Sequence, residues 1–230
     1  MRRGLAAALL LAGCAAPPAP ERPAPPLAEG PPAGFAGRVL AIDPARSVLI
    51  AGVRREGTLA ALGHDHLLRC RCLSGRIYRG DDGTASARLA IEVGAFEVDP
   101  PDLLAARPDW AAHAARGEAA AATRENLLGP ALLDAARHPR ITLQVALVEA
   151  TGPQARLEVD ARVKGRAQRF TTAVDIERLE DDGEGLVLRL RGTVRHGELG
   201  LTPFSVMGGA LRVADPIEVE IELVSRAVPR

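Results

Sequence analysis

Strict alternation of apolar and polar residues is the feature that most narrows what this chain can become. Ala85, Ala87, Leu89, Ile91 and Val93 alternate with Thr84, Ser86, Arg88 and Glu92; Ile141, Leu143, Val145 and Leu147 alternate with Thr142 and Gln144. Leu157, Val159, Ala161 and Val163 are separated by Glu158, Asp160 and Arg162, and Phe170, Val174 and Ile176 oppose Arg169, Asp175 and Glu177. Leu186, Leu188, Leu190 and Val194 stand against Arg189 and Arg191, and Ile217, Val219, Ile221 and Leu223 against Glu218, Glu220 and Glu222. Weaker alternation adds strands near 39–42 and 47–53. A period of two puts one set of side chains on each face of a strand. Each strand therefore has one dry and one wet face, the signature of an antiparallel sheet.

Turn chemistry agrees. Asp81-Asp82-Gly83 and Asp181-Asp182-Gly183 punctuate hairpins, and Lys164-Gly165 lies between two strands. About eight such strands bury their apolar faces only in a sandwich or a closed barrel. The exception is 100–139, where the pattern turns alanine-rich and helical. A helix is expected from Pro101-Asp102, with Gly117 as a break, then an apolar stripe of Leu127, Leu128, Leu132 and Leu133 interrupted at Gly129-Pro130 and stopped by Pro139. An insertion of that size between barrel strands is expected to cover one end. The expected fold class is mainly β: a lipocalin-like, eight-stranded antiparallel β-barrel with a helical insertion over one end.

One stretch, Ala61-Leu62-Gly63-His64-Asp65-His66-Leu67-Leu68-Arg69-Cys70-Arg71-Cys72-Leu73-Ser74, carries two histidines and two cysteines. Read as a strand, it sends His64, His66, Leu68, Cys70, Cys72 and Ser74 to one face and Arg69 and Arg71 to water. At about 3.3 Å per residue, His66 and Cys70 stand roughly 13 Å apart. Zinc ligands must come within about 2.3 Å of one ion, so the four do not make a single site. His64 and His66 alone would need ligands from elsewhere, and no metal ligand is assigned. Two residues apart on an extended strand is near the limit of about 6.8 Å between Cα atoms for a disulfide. Cys70 and Cys72 are therefore expected as buried thiols, with a strained bridge as the alternative. No catalytic residue is assigned either: Ser205 lacks the Gly-x-Ser-x-Gly pattern of a nucleophile elbow, and no glycine-rich phosphate loop is present.

The N-terminus speaks to location. Arg2 and Arg3 precede an apolar run from Leu5 to Leu11, shorter than the roughly 20 residues that cross a bilayer. Leu11-Ala12-Gly13-Cys14 resembles the lipobox of bacterial lipoproteins. That resemblance implies a signal peptide over 1–13 and a lipidated Cys14 anchoring the chain in the cell envelope, facing the periplasm; an ordinary signal peptide cut near Ala15-Ala16 is the alternative. Ala15 stands where Asp would signal inner-membrane retention, so the outer membrane is favoured. Residues 14–34 form the lipidated cysteine and a proline-rich tether, and 35–230 a single domain. The formal net charge is +0, which gives no electrostatic basis for nucleic-acid binding. Only 3% of residues are aromatic, so a barrel interior of Leu, Val, Ile and Ala leaves room.

Over roughly 36–226 the order of segments resembles the YceI-like, polyisoprenoid-binding family. The carriers are RVLAIDPARSVLIAGVRREG, LGHDHLL, TRENLLGPALLDAARHPRITLQV, VDARVKGRAQRFTTAVDI and GELGLTPFSVMGGALRVADPIEVEIELV. Within them Arg124 to Leu128 followed by His138-Pro139-Arg140-Ile141, the mid-domain Gly165, and Leu201 to Phe204 with Gly208-Gly209 look like that family's helix-to-strand passage, glycine and late loop. The resemblance implies a barrel around a long apolar tunnel that holds an isoprenoid lipid or quinone non-covalently, with no other cofactor. The barrel-facing candidates are Leu68, Cys70, Leu89, Ile91, Ile141, Leu143, Val145, Leu157, Val159, Phe170, Val174, Leu188, Leu190 and Ile221. His64 and His66, near a strand start, are head-group candidates at the mouth, or they bond backbone there. Two other functions stay open: a metal-binding protein or metal-dependent enzyme centred on Gly63-His64-Asp65-His66, and a filled, ligandless scaffold or redox accessory of the envelope.

Overall fold

The computed structural model describes residues 30–181 and 185–228, the side chains of 179–181 aside. The signal peptide, Cys14, most of the tether, and Asp182 and Gly183 of one expected turn lie outside the described residues.

Alternation becomes strand wherever it is strict. In chain order the strands are β1 (Gly37–Ile42), β2 (Val48–Glu56), β3 (His66–Cys70), β4 (Leu73–Gly80), β5 (Ala85–Glu92), β6 (Glu97–Val98), β7 (Arg140–Thr151), β8 (Gln154–Val163), β9 (Arg166–Asp181), β10 (Gly185–Arg195), β11 (Ser205–Val206) and β12 (Leu211–Ala227). Three pairs are single strands broken by an irregularity. β1 and β2 both pair with β12, through Leu40↔Ala227 and Val53↔Ile217. Between them the chain makes an excursion at Asp43, whose Oδ1 accepts the Ala45 N–H at 3.1 Å. Buried Ser47 then stitches it back, its Oγ accepting the Val224 N–H at 3.0 Å. β3 and β4 likewise follow one another beside β2 and β1, and β6 continues β5 along β3. Counted this way, and with the two-residue β11 set aside as a side branch on β12, eight antiparallel strands follow in sequence order and close into a barrel.

Chain reversals are unequal at the two ends. One end has the short turns at 81–84 and 152–153. The other collects the long connections 57–65, 99–139 and 196–210, and this end is the mouth. Its one tight turn joins β8 to β9 through Lys164 (φ 50°) and Gly165 (φ 73°), a two-residue reversal with both central residues left-handed. A Cβ at Gly165 would lie 2.7 Å from His138 Cε1, so the ring packs directly on the backbone there.

The insertion divides into α1 (Pro101–Ala105), α2 (Pro108–Ala111) and α3 (Glu118–Leu128). Only α3 and the turn after it lie over the mouth. Arg124 on α3 donates from Nη2 to the Gly94 carbonyl at 2.6 Å and from Nε to that of Phe96 at 3.0 Å. Lys164 Nζ holds the following turn through the Pro130 carbonyl at 2.6 Å. α3 ends at Leu128, so Leu132 and Leu133 sit in a turn rather than on its stripe. α1 and α2 instead pack on the outside of β2 and β3, where Leu103, Leu104 and Trp110 bury Leu67. Trp110 lies against Gly52, whose Cβ would come within 2.4 Å of the indole, and the Arg54 guanidinium caps the ring at 3.4 Å. Leu67 is therefore buried, although its position in the alternation faces away from the barrel interior.

The quoted strand is not continuous. It stops at Cys70 and resumes at Leu73, and Cys70 and Cys72 form a disulfide rather than a pair of thiols. The break draws their Cα atoms to 5.2 Å, inside the range a bridge spans, where an extended strand would hold them near its limit. It also shifts the facing by one residue. Leu73, expected outside, is fully buried, and Ile77 follows it inward.

Candidate functional site

A cavity of about 510 Å³ occupies the barrel and opens at the mouth. Its wall is built from the dry faces that the alternation marks: Leu68 on β3, Leu89 and Ile91 on β5, Ile141, Leu143 and Val145 on β7, Leu157 and Val159 on β8, Phe170 and Val174 on β9, Leu190 on β10 and Ile221 on β12. Two expected members are not on this wall. Cys70 is fully buried within the disulfide, and Leu188 packs in the core toward the short-turn end. There Leu40, Ile42, Ile77, Leu186 and Leu223 are buried against one another, and none of them lines the cavity. The interior is thus hollow toward the mouth and filled on one side at the far end, rather than a tunnel of uniform bore.

Polar groups gather at the mouth. His64 is exposed and His66 buried, with ring centroids 6.1 Å apart, and both line the cavity. His66 Nδ1 lies 2.7 Å from Asp99 Oδ2, and the other oxygen of that carboxylate accepts the Leu67 N–H at 2.8 Å. Asp65 turns away from the cavity; it accepts the Arg55 N–H at 2.9 Å and Arg54 Nη1 at 3.3 Å. For Arg54, burial opposes the charge, but Asp65, Glu218 and Asp109 outweigh it and raise its pKa above the ordinary value.

His196, which the sequence does not single out, also lines the mouth, with its Nδ1 2.9 Å from the Asp215 carbonyl oxygen. Neither Asp99 nor His196 has a periodic signal. Asp99 follows a two-residue strand and meets a partner 33 positions earlier. Leu62 and Phe204 both line the cavity and are largely exposed, and Met207, three residues after Phe204, is exposed as well, so the apolar wall runs out onto the rim. Among the described residues no group of three or more His, Cys, Asp or Glu side chains is placed to hold a metal ion.

Solved structures share this architecture. BcnA of Burkholderia cenocepacia superimposes with a TM-score of 0.55 at 15% identity, covering 80% of this chain and 98% of that one. A polyisoprenoid-binding domain from Saccharophagus degradans, implicated in plant cell wall breakdown, gives 0.52 at 13% identity, covering 82% and 98%. The chain has the antiparallel barrel fold of these two structures. No protein-family model and no curated protein sequence matches it. The barrel here keeps the expected eight strands, and its long connections cluster at one end around the histidines. Among the described residues no helix is long and apolar enough to cross a membrane.

Proposed function

We propose that this protein is a non-catalytic carrier of the bacterial cell envelope, holding a long-chain isoprenoid lipid or quinone with its tail in the barrel. The observation that carries the reading is the cavity itself: about 510 Å³, walled mainly by Leu, Ile, Val and Phe, with three histidines at its mouth. An eight-stranded barrel is just wide enough to hold one such ligand, and the volume lies within the usual range of ligand sites. The likeness to a polyisoprenoid-binding domain supports the same chemistry. Head-group contact falls to His64 and His66, the cavity-lining imidazoles nearest the start of β3.

Lipidation at Cys14 would hold the carrier on a membrane, with the outer membrane favoured, facing the periplasm. β1 begins at the short-turn end, away from the mouth. A proline-rich tether of some 20 residues reaches about 60 Å when extended, enough to let the mouth turn back toward the bilayer. The apolar rim at Leu62, Phe204 and Met207 suits exchange of a greasy chain there.

Affinity should then follow tail length. Each buried CH₂ contributes up to about 0.8 kcal/mol, so one isoprene unit gives several kcal/mol before ordering costs. Titration with geraniol, farnesol and geranylgeraniol is expected to show about tenfold or more tightening per unit. An affinity independent of length would overturn the carrier reading.

A further inference from the structure

Two buried imidazoles at the mouth have one ring nitrogen already committed, and in the same sense. His66 Nδ1 faces Asp99 Oδ2 at 2.7 Å, and the Asp99 side chain has no solvent exposure. His196 Nδ1 faces the Asp215 backbone carbonyl at 2.9 Å. A backbone carbonyl oxygen only accepts, and the Asp99 carboxyl already accepts the Leu67 N–H, so the tautomer that satisfies each contact carries its proton on Nδ1. In the neutral ring Nε2 is then a bare lone pair. Both rings line the cavity, and among the described residues no donor meets either Nε2. The lining cations are directed elsewhere: Arg55 Nη1 donates to the Gly63 carbonyl at 3.2 Å, Arg212 Nε to Glu56 at 3.1 Å, and Arg191 Nε lies 3.5 Å from Glu220.

We infer that the mouth selects a head group that donates a hydrogen bond, namely the hydroxyl of a prenyl alcohol or of a reduced quinol, over one that only accepts. A quinone carbonyl or an ether oxygen placed at His66 or His196 meets a second lone pair and leaves both groups unsatisfied. Rejection of a ligand that cannot complete a buried polar group is the stronger source of selectivity, because the orphaned group keeps its desolvation cost. The inference rests on the carrier reading, since it concerns the head of a ligand whose tail fills the barrel. It narrows the ligand to the hydroxyl-bearing members of that class, and it adds His196 to the residues that set specificity.

The test compares geranylgeraniol with its methyl ether, which keeps the tail and removes the donor. Calorimetric titration of the wild-type protein is expected to give about tenfold tighter binding of the alcohol. His196→Phe, which removes one of the two acceptors, should narrow that gap severalfold, weakening the alcohol and relieving the ether. Equal affinities of the wild-type protein for alcohol and ether would overturn this inference and leave the carrier reading standing. Binding of neither compound would overturn both.

Discussion

His66 Nδ1 lies 2.7 Å from Asp99 Oδ2, so a histidine on β3 and an aspartate just ahead of α1 form one buried unit at the mouth of the barrel. The same carboxylate accepts the Leu67 N–H, and Asp99 holds a left-handed backbone (φ 50°) to do so. Asp99→Asn keeps a residue that tolerates that backbone but leaves one acceptor for two donors. Orphaning one buried donor costs about 1–3 kcal/mol. Urea denaturation should show a loss of that size, with a smaller preference for alcohol over ether; an unchanged midpoint would contradict the pairing.

Leu143 and Val159 lie diagonally across β7 and β8, in the pairs Leu143↔Ala161 and Val145↔Val159, and both line the cavity. Leu143→Arg or Val159→Arg places a guanidinium among groups that cannot pair with it. Retention of geranylgeraniol should fall below detection. Circular dichroism checks that the barrel remains, because the open mouth gives a long side chain a route to water. Full retention in a folded variant would sink the placement of the tail.

Gly165 and His138 meet across the β8–β9 turn, at a φ of 73° and with 2.7 Å between a built Cβ and the ring. Gly165→Ala should cost about 1–3 kcal/mol in a chemical melt, from left-handed strain and the clash together. In a His138→Ala background only the strain remains, so the two substitutions should be non-additive. Additive costs would mean that the ring does not press on this turn.

These pairings show where the sequence is informative and where it is silent. β8 is legible because Ala155, Leu157, Val159, Ala161 and Val163 alternate without interruption over a strand with one dry face. β3 and β4 mislead because Arg71-Cys72 interrupts the strand and exchanges the faces of everything after it, which no periodicity at Cys70 announces. Leu67 reads as outward, and it is, but α1 and α2 cover that outside with Trp110. Asp99 and His196 are invisible for another reason: each acts through one long-range hydrogen bond rather than through a pattern.

Glu220 gives the pH dependence a sign. Burial disfavours its charge, yet Arg107, at 3.0 Å, and Arg191 prevail and hold its carboxyl below the ordinary value. A depressed folded pKa contributes stability above the ordinary glutamate value of about 4.3, and that contribution disappears as pH falls through the lower folded value. Glu220→Gln should therefore be less stable than wild type at neutral pH and converge with it in acid. Melting curves from pH 7 to pH 3 that stay parallel would refute this.

The central claim is that the barrel carries an isoprenoid chain, and native mass spectrometry tests it most directly. Protein with Cys14→Ser, exported to a bacterial periplasm and purified under mild conditions, should carry a one-to-one adduct that organic solvent extracts as a prenyl alcohol, quinol or related polyprenyl lipid. A bare polypeptide mass that stays bare after incubation with geranylgeraniol would contradict the claim and leave a ligandless barrel. An increment matching a metal ion would instead return attention to Gly63-His64-Asp65-His66.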